Sequence, residues 1–291
     1  MKEEIQDTEI RIIGNTSHAA PSGTPHHRSR LRWLIIVGVL LVAAVMALLF
    51  VHYLHTDEPA ESVFEEPVQP VQQHPLRGWI ANGDTITTRG TLLYDTVVND
   101  IPLRLMRPMN VTPHLEVGYG CLRDTADIIL MWQAADIRAD NKKIVGAFVL
   151  HGKPLSWGLS KRGYCAIIDN EVTIGVADNS PLFEEATERG GDFFRQYPLV
   201  DNGVLVENEL KAKFIRRALC QLEGRIVVAQ TGTPESMHDF AQALVDIGVT
   251  NAIYLIGSSA IGWYIDLDGI GTPFGQWEPK IYKNISFIIW Q

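Results

Sequence analysis

Two kinds of apolar pattern divide the chain. From Trp33 to Leu54, WLIIVGVLLVAAVMALLFVHYL, 22 residues run without a formal charge unless His52 is protonated. At a rise of ~1.5 Å per residue that length spans the hydrocarbon core of a bilayer. From Leu76 onward the pattern changes to short β-like runs bounded by turn residues: TLLYDTVV, DIILMW, KIVGAFVL, YCAIID, EVTIGV, RIVVAQ, NAIYLI and ISFIIW. Helical spacing is expected twice. LFEEATERGGDFFRQ is weakly helical and broken by Gly190 and Gly191. After TGTPES, Met237, Phe240, Ala241, Leu244 and Val245 recur at 3.6-type spacing, with Thr233 as the expected N-cap, Pro234 as the first helical residue and Gly248 as the stop. RIVVAQ, this helix and NAIYLI make a strand–helix–strand unit in a region where strands far outnumber helices. The expected class is therefore α+β: a strand-rich mixed sheet domain with few helices, preceded by one transmembrane helix.

The flanks orient the span. Trp33 and Tyr53 stand at its ends, where amphipathic rings favour the headgroup region. A cleaved signal peptide is the rival reading, but its apolar region runs only ~7–15 residues and ends at a small-residue site, which VHYLH does not offer. Arg28, Arg30 and Arg32 precede the span and acids follow it. The positive-inside rule then places the N-terminus in the cytoplasm and residues 55–291 outside the inner (cytoplasmic) membrane, periplasmic or extracellular. Residues 1–32 lack hydrophobic periodicity and are expected to be a disordered cytoplasmic tail, in which His26 and His27 read as solvated polar residues. Residues 55–75 are acidic and proline-rich, an expected stalk below a folded domain of residues 76–291.

Charge narrows the partners. The net charge is −9, and the first 32 residues hold five bases and four acids, which leaves 20 bases and 30 acids beyond them. Nucleic acid binding needs clustered Lys and Arg, and this remainder has no basic run, so nucleic acid is excluded as a partner. A hydrophobic content of 46% over 291 residues is enough for a sizeable core. Cys121, Cys165 and Cys220 fall on the outer side, where disulfides persist. Cys165 and Cys220 both lie in strand-like runs, so a cross-strand bridge and two buried free thiols are both open.

Several motifs fail on spacing. DLDG at Asp266–Gly269 begins like a calcium loop, but the twelfth position is Trp277 instead of glutamate, so a hairpin turn is expected. GSSAIG is one residue too long for a nucleophile elbow. His151, in LHGKP, is a candidate general base or ligand-binding residue; a lone turn histidine is more often a surface residue. No metal-ligand spacing is present, and neither a metal nor an organic cofactor is expected.

The order of four segments carries a resemblance. GAFVLHGKPLSWGL (146–159), FRQYPLVDNG (194–203), RRALCQLEGRIVVAQ (216–230) and TPESMHDFAQALVDIGVTNAIYLIGSS (233–259) follow one another as the motifs of the phosphodiester glycosidase family do. That family includes the enzyme that uncovers mannose 6-phosphate by removing N-acetylglucosamine, and the resemblance implies its fold over roughly Asp140 to the C-terminus. Its motifs are degenerate here. Ile256 stands where the family has an aspartate, Val145 and Ala147 replace an asparagine and a glycine, and Arg217 and Cys220 replace a threonine and a glycine, while Arg216 is kept. The resemblance implies a ligand site at Arg216, Gly257, Ser258 and Ser259, with His151 as a further candidate, and leaves catalytic residues unassigned.

Three readings follow. The first is a non-catalytic or altered member, anchored by its single-pass span, that binds an envelope glycan, a sugar phosphate, a lipid headgroup or a protein. The second is an active phosphodiester glycosidase whose working groups moved to Asp169, Asp178, Asp201 or Asp266. The third is a structural subunit of an envelope complex, for which Gly38 alone provides no helix-pairing motif.

Overall fold

The computed structural model of the protein describes residues 41–42, 44–48, 73–118, 120, 126–208, 210–276 and 283–291. The expected tail, most of the expected span and stalk, and Cys121 lie outside the described residues. Residues 41–42 and 44–48 are helical and exposed. Among the described residues no helix is long and apolar enough to cross a membrane. Contacts divide the chain into Met1–Glu66 and Pro67–Gln291, and the fold below is that of the second unit.

Helix α1 (Gln73–Gly83) leads into β1 (Gly90–Val98), β2 (Ile101–Met109), β3 (Pro113–Val117), β4 (Leu130–Gln133), β5 (Ala147–Leu150), β6 (Lys153–Trp157), β7 (Gly163–Ile168) and β8 (Glu171–Val176). After α2 (Leu182–Glu188) come β9 (Asp192–Gln196), β10 (Pro198–Asp201), β11 (Val204–Leu205), β12 (Arg217–Leu222) and β13 (Arg225–Thr231). Helix α3 (Met237–Asp246) precedes β14 (Val249–Leu255), β15 (Gly262–Ile265), β16 (Gly271–Phe274) and β17 (Ser286–Trp290). The strands form three sheets, ordered β1-β2-β13-β12-β14-β10-β11, β16-β15-β4-β17-β3 and β6-β5-β9-β7-β8. This is a strand-rich sheet domain with few helices.

Alternation along the central strands builds the layers, because successive side chains leave opposite faces. On one face of the seven-stranded sheet, Leu103, Leu105, Ala218, Cys220, Val227, Ala229 and Ala252 pack with Leu76, Trp79 and Ile80 of α1 and with Phe240, Ala241 and Leu244 of α3. On the other, Met106, Leu219, Val228, Ile253 and Leu255 join Trp132, Ile288 and Trp290 from the second sheet and Phe148, Cys165 and Phe194 from the third. The third sheet's outer face, with Ala147, Val149, Ala166 and Phe193, is covered by Ala186 of α2 with Leu182 and Phe183.

Four expectations need correction. Every ladder among the described strands is antiparallel, so the sheets are not mixed; the strand–helix–strand unit is present as β13, α3 and β14, with β12 between its two strands and antiparallel to both. The α3 N-cap is Ser236, whose hydroxyl accepts from the Asp239 N–H at 3.0 Å, and Pro234 lies outside the helix. DFFRQ is strand β9; the αL turn at Gly190, with φ +73°, separates it from α2. Helix α1 starts inside the expected stalk, its Leu76, Trp79 and Ile80 forming an i, i+3, i+4 stripe. Asp266–Gly269 is the β15–β16 hairpin turn, where Asp266 Oδ1 accepts from the N–H groups of Asp268 (3.0 Å) and Ile270 (2.8 Å). Cys165 and Cys220 are buried free thiols whose pKa values burial pushes up.

Candidate functional site at the strand ends

The C-terminal end of β14 and the N-terminal end of β12 are neighbours because the two strands run antiparallel, with Arg217 opposite Leu255. Alternation sends Arg216 and Arg217 to opposite sides. Arg217, 2% exposed, lies against the rings of Trp132 (4.6 Å) and Phe274 (5.2 Å), which stack on each other with centroids 3.9 Å apart. Its Nη1 donates to the carbonyls of Ile256 (3.2 Å) and Ala260 (2.9 Å), its Nη2 to that of Ser258 (3.3 Å), and its Nε to Gln230 Oε1 (2.8 Å). The guanidinium thereby ties down the turn after β14. Burial pulls its pKa down to about 10.

Arg216, 3% exposed, donates from Nε to the Glu235 carbonyl at 2.8 Å and from Nη2 to the Ala212 carbonyl, and it lies near the rings of Phe214 and Tyr254. Gly257 is adjacent: its N–H donates to Tyr254 Oη at 3.1 Å. The glycine has a packing reason, since an added Cβ would lie 2.1 Å from the Ile215 carbonyl oxygen. That carbonyl accepts from the N–H of Ser258 at 2.9 Å, and Ser258 takes a φ of +53°. Ser258 and Ser259 are exposed. Ile256 is half-buried and belongs to no core cluster; Leu255, Ala260 and Ile261 are the buried apolar residues here.

A second group of side chains adjoins the turn, linked to it through the Ile256 N–H on the Gln133 carbonyl (3.2 Å) and the Tyr254 N–H on the Tyr197 carbonyl (2.8 Å). Lys161 lies in the αL region at φ +68°, unusual for a lysine, with its side chain 5% exposed. Its ammonium contacts the Asp136 carboxylate, donates to Gln196 Oε1 at 2.9 Å and lies 4.5 Å from the Tyr197 ring centroid. Burial lowers the Lys161 pKa, and Asp136 opposes that shift. Gln196 also donates to the Ala134 carbonyl at 3.1 Å.

The structure thus brings Arg216, Gly257 and Ser258 together, with Ser259 beside them. His151 is elsewhere, in the β5–β6 turn, with its Nδ1 3.2 Å from the buried Asp192 and its ring 6.4 Å from that of His114. Asp192 and Gln196 are opposite ends of β9, a strand length of ~13 Å. Asp169 and Asp178 lie in two different turns, paired with Arg189 and Arg162, Asp201 ends β10, and Asp266 opens the β15–β16 turn. Among the described residues no group of three His, Cys, Asp or Glu side chains could hold a metal ion.

The carboxylate of Asp136 is held by Lys161, and that of Glu235 pairs with Lys213 at 3.6 Å and accepts from Thr233 Oγ1 at 2.7 Å. Neither Arg216 nor Arg217 pairs with a carboxylate among the described residues. Arg217 had a sequence signal, a second arginine entering an apolar strand; Asp136 and Lys161 had none, because 24 residues separate them and only the fold joins them.

No family profile and no curated protein sequence matches this chain. Solved structures do. The catalytic domain of zebrafish N-acetylglucosamine-1-phosphodiester alpha-N-acetylglucosaminidase, auto-inhibited by its pro-peptide, is similar at 13% identity and a TM-score of 0.49 over 69% of this chain and 81% of that one. A hypothetical protein from Synechocystis is similar at 13% identity and a TM-score of 0.53 over 69% of this chain. The match spans 62% of that protein's length, and the likeness is one of fold alone.

Proposed function

We propose that the chain is a membrane-anchored binding protein of glycosidase-like fold that holds an anionic sugar group, such as a sugar phosphate of an envelope glycan, outside the inner membrane without cleaving it. The observation that carries this reading is Arg216 at the strand end, a buried guanidinium that pairs with no carboxylate among the described residues. Arg217 is spent on the turn. Arg216 uses two of its five N–H groups on carbonyls and keeps Nη1 for a phosphate oxygen, in the fork geometry that suits oxyanions. Glycoside hydrolysis commonly uses two carboxylates flanking the bond. Here Ile256 supplies none, and Asp136 and Glu235 are each engaged with a lysine.

The test uses the full-length protein with N-acetylglucosamine 1-phosphate and its methyl phosphodiester. Saturable calorimetric binding that Arg216→Gln weakens at least ten-fold, with no release of methyl phosphate or free sugar, supports the reading. Turnover of the diester would promote the glycosidase alternative, and the absence of binding would refute the proposed ligand. The span and its orientation are a separate part of the proposal. Protease added to spheroplasts should digest residues 55–291 and spare the N-terminal tail; the opposite protection pattern would refute it.

A further inference from the structure

A separate cavity of about 380 Å³ opens on the outer face of the third sheet, between β5, β6 and the start of α2. Its lining is graded by depth. Arg195, Ala147 and Ser180 are buried, Phe183 is half-buried, and Trp157 and Leu159 stand at the rim, 67% and 66% exposed. Alternation along β9 turns Arg195 away from Phe194 and Gln196, so this cavity and the Lys161 cluster lie on opposite faces of the sheet.

Arg195 is the unusual group. It is 2% exposed, and its Nη1 donates to the carbonyls of Lys161 (2.9 Å) and Ala177 (3.0 Å), its Nη2 to that of Asp178 (2.7 Å). Its Nε–H has no acceptor. The nearby carboxylate of Asp178 pairs with Arg162 at 2.8 Å on the surface instead. A buried charged donor left without an acceptor is costly, and an oxyanion in the cavity beside the guanidinium offsets its charge. The wall supplies the other half of the recognition. Exposed Trp157 and half-buried Phe183 offer aromatic surface, and Leu159 and Pro181 extend it. Glu184, exposed at the rim, disfavours a second negative charge.

We propose that this cavity binds a small amphipathic monoanion, a flat apolar ring against Trp157 and Phe183 with its carboxylate directed to Arg195. The volume lies in the range of small-molecule sites, roughly 300–1,000 Å³. The site is independent of the sugar-phosphate reading, because it uses neither Arg216 nor the turn after β14.

Calorimetric titration of the full-length protein with 3-phenylpropionate, 3-phenylpropionamide and phenyl phosphate tests it. The carboxylate should bind saturably at one site per chain, and the neutral amide and the phosphate dianion each at least ten-fold more weakly. Trp157→Ala, at an exposed position that leaves the fold intact, should weaken the carboxylate at least ten-fold, while Trp157→Phe keeps most of the affinity. Prior saturation with N-acetylglucosamine 1-phosphate should leave the titration unchanged. Equal binding of acid and amide, indifference to Trp157→Ala, or no saturable binding of the acid at millimolar concentration would each overturn the proposal.

Discussion

Replacing Arg217 by methionine removes the cation at the strand end while keeping much of its volume. Four hydrogen bonds go with it, to Gln230 Oε1 and to the carbonyls of Ile256, Ser258 and Ala260. Bonds from a charged donor contribute about 1.5–3 kcal/mol each, and because two of these are long, the lower end applies, about 6 kcal/mol in all. The stacking of the guanidinium near Trp132 and Phe274 adds about 1 kcal/mol. Against this, the folded state already holds an unfavourably buried charge. The depression of its pKa from 12.5 to about 10 corresponds to about 3 kcal/mol, which the substitution returns. The net loss is therefore about 3–4 kcal/mol, close to the usual cost of breaking a buried polar tie. For a domain of this size that lowers Tm by about 6–16 °C in differential scanning calorimetry. Arg217→Lys keeps the charge without the planar fork and should recover less than half of the loss. A drop below ~3 °C for Arg217→Met would mean that the turn holds itself together and Arg217 is not its tie.

Other outcomes follow from burial and linkage. Phe240 is fully buried between α3 and the sheet, so Phe240→Ala should cost about 3–5 kcal/mol in urea unfolding, and an unresolvable midpoint shift would contradict that packing. Gly257→Ala places a Cβ against the Ile215 carbonyl and should destabilise by about 1–3 kcal/mol; equal stability would show that the turn relaxes freely. Burial chiefly, with His151 reinforcing and Glu116 and Asp192 opposing, holds the His114 pKa below its ordinary 6.5. The unfolded chain therefore takes up that proton first, so stability should decline as pH falls through 6.5 and level off below the folded pKa. His114→Gln should flatten this slope in urea midpoints taken from pH 7.5 to 5, and an unchanged slope would assign it to other groups.

The fold was legible where apolar runs were uninterrupted. NAIYLI, RIVVAQ and ISFIIW are buried strands β14, β13 and β17, as their β-branched content demands. β2 was not legible, because Pro102 and Pro108 interrupt IPLRLMRPM. The structure tolerates them because β13 pairs only with Leu103–Met106, so both prolines lie beyond that ladder. The N-cap of α3 was displaced by three residues because Thr233 and Ser236 both suit the role and only tertiary contact decides. Thr233 turns its hydroxyl to Glu235, and Glu235 bridges by backbone pairing to Phe214, which pulls residues 233–235 out of the helix.

The site was half legible for a related reason. Arg216 and Gly257 were legible from their place in the quoted segments, whereas Asp136 and Lys161 were not, because only the fold joins them. Ile256 directly follows the apolar run of β14. It is half-buried and belongs to no core cluster, and Arg217 holds the turn that it opens. The guanidinium occupies the three carbonyls of the 256–260 turn and lies on Trp132, so the turn is already satisfied by a cation from the neighbouring strand. An aspartate at 256 would compete with those carbonyls for the same donors, and winning them would loosen the turn that aims it. The arginine at 217 and the uncharged residue at 256 are thus two halves of one arrangement. Its stability comes from fixing the backbone of the turn.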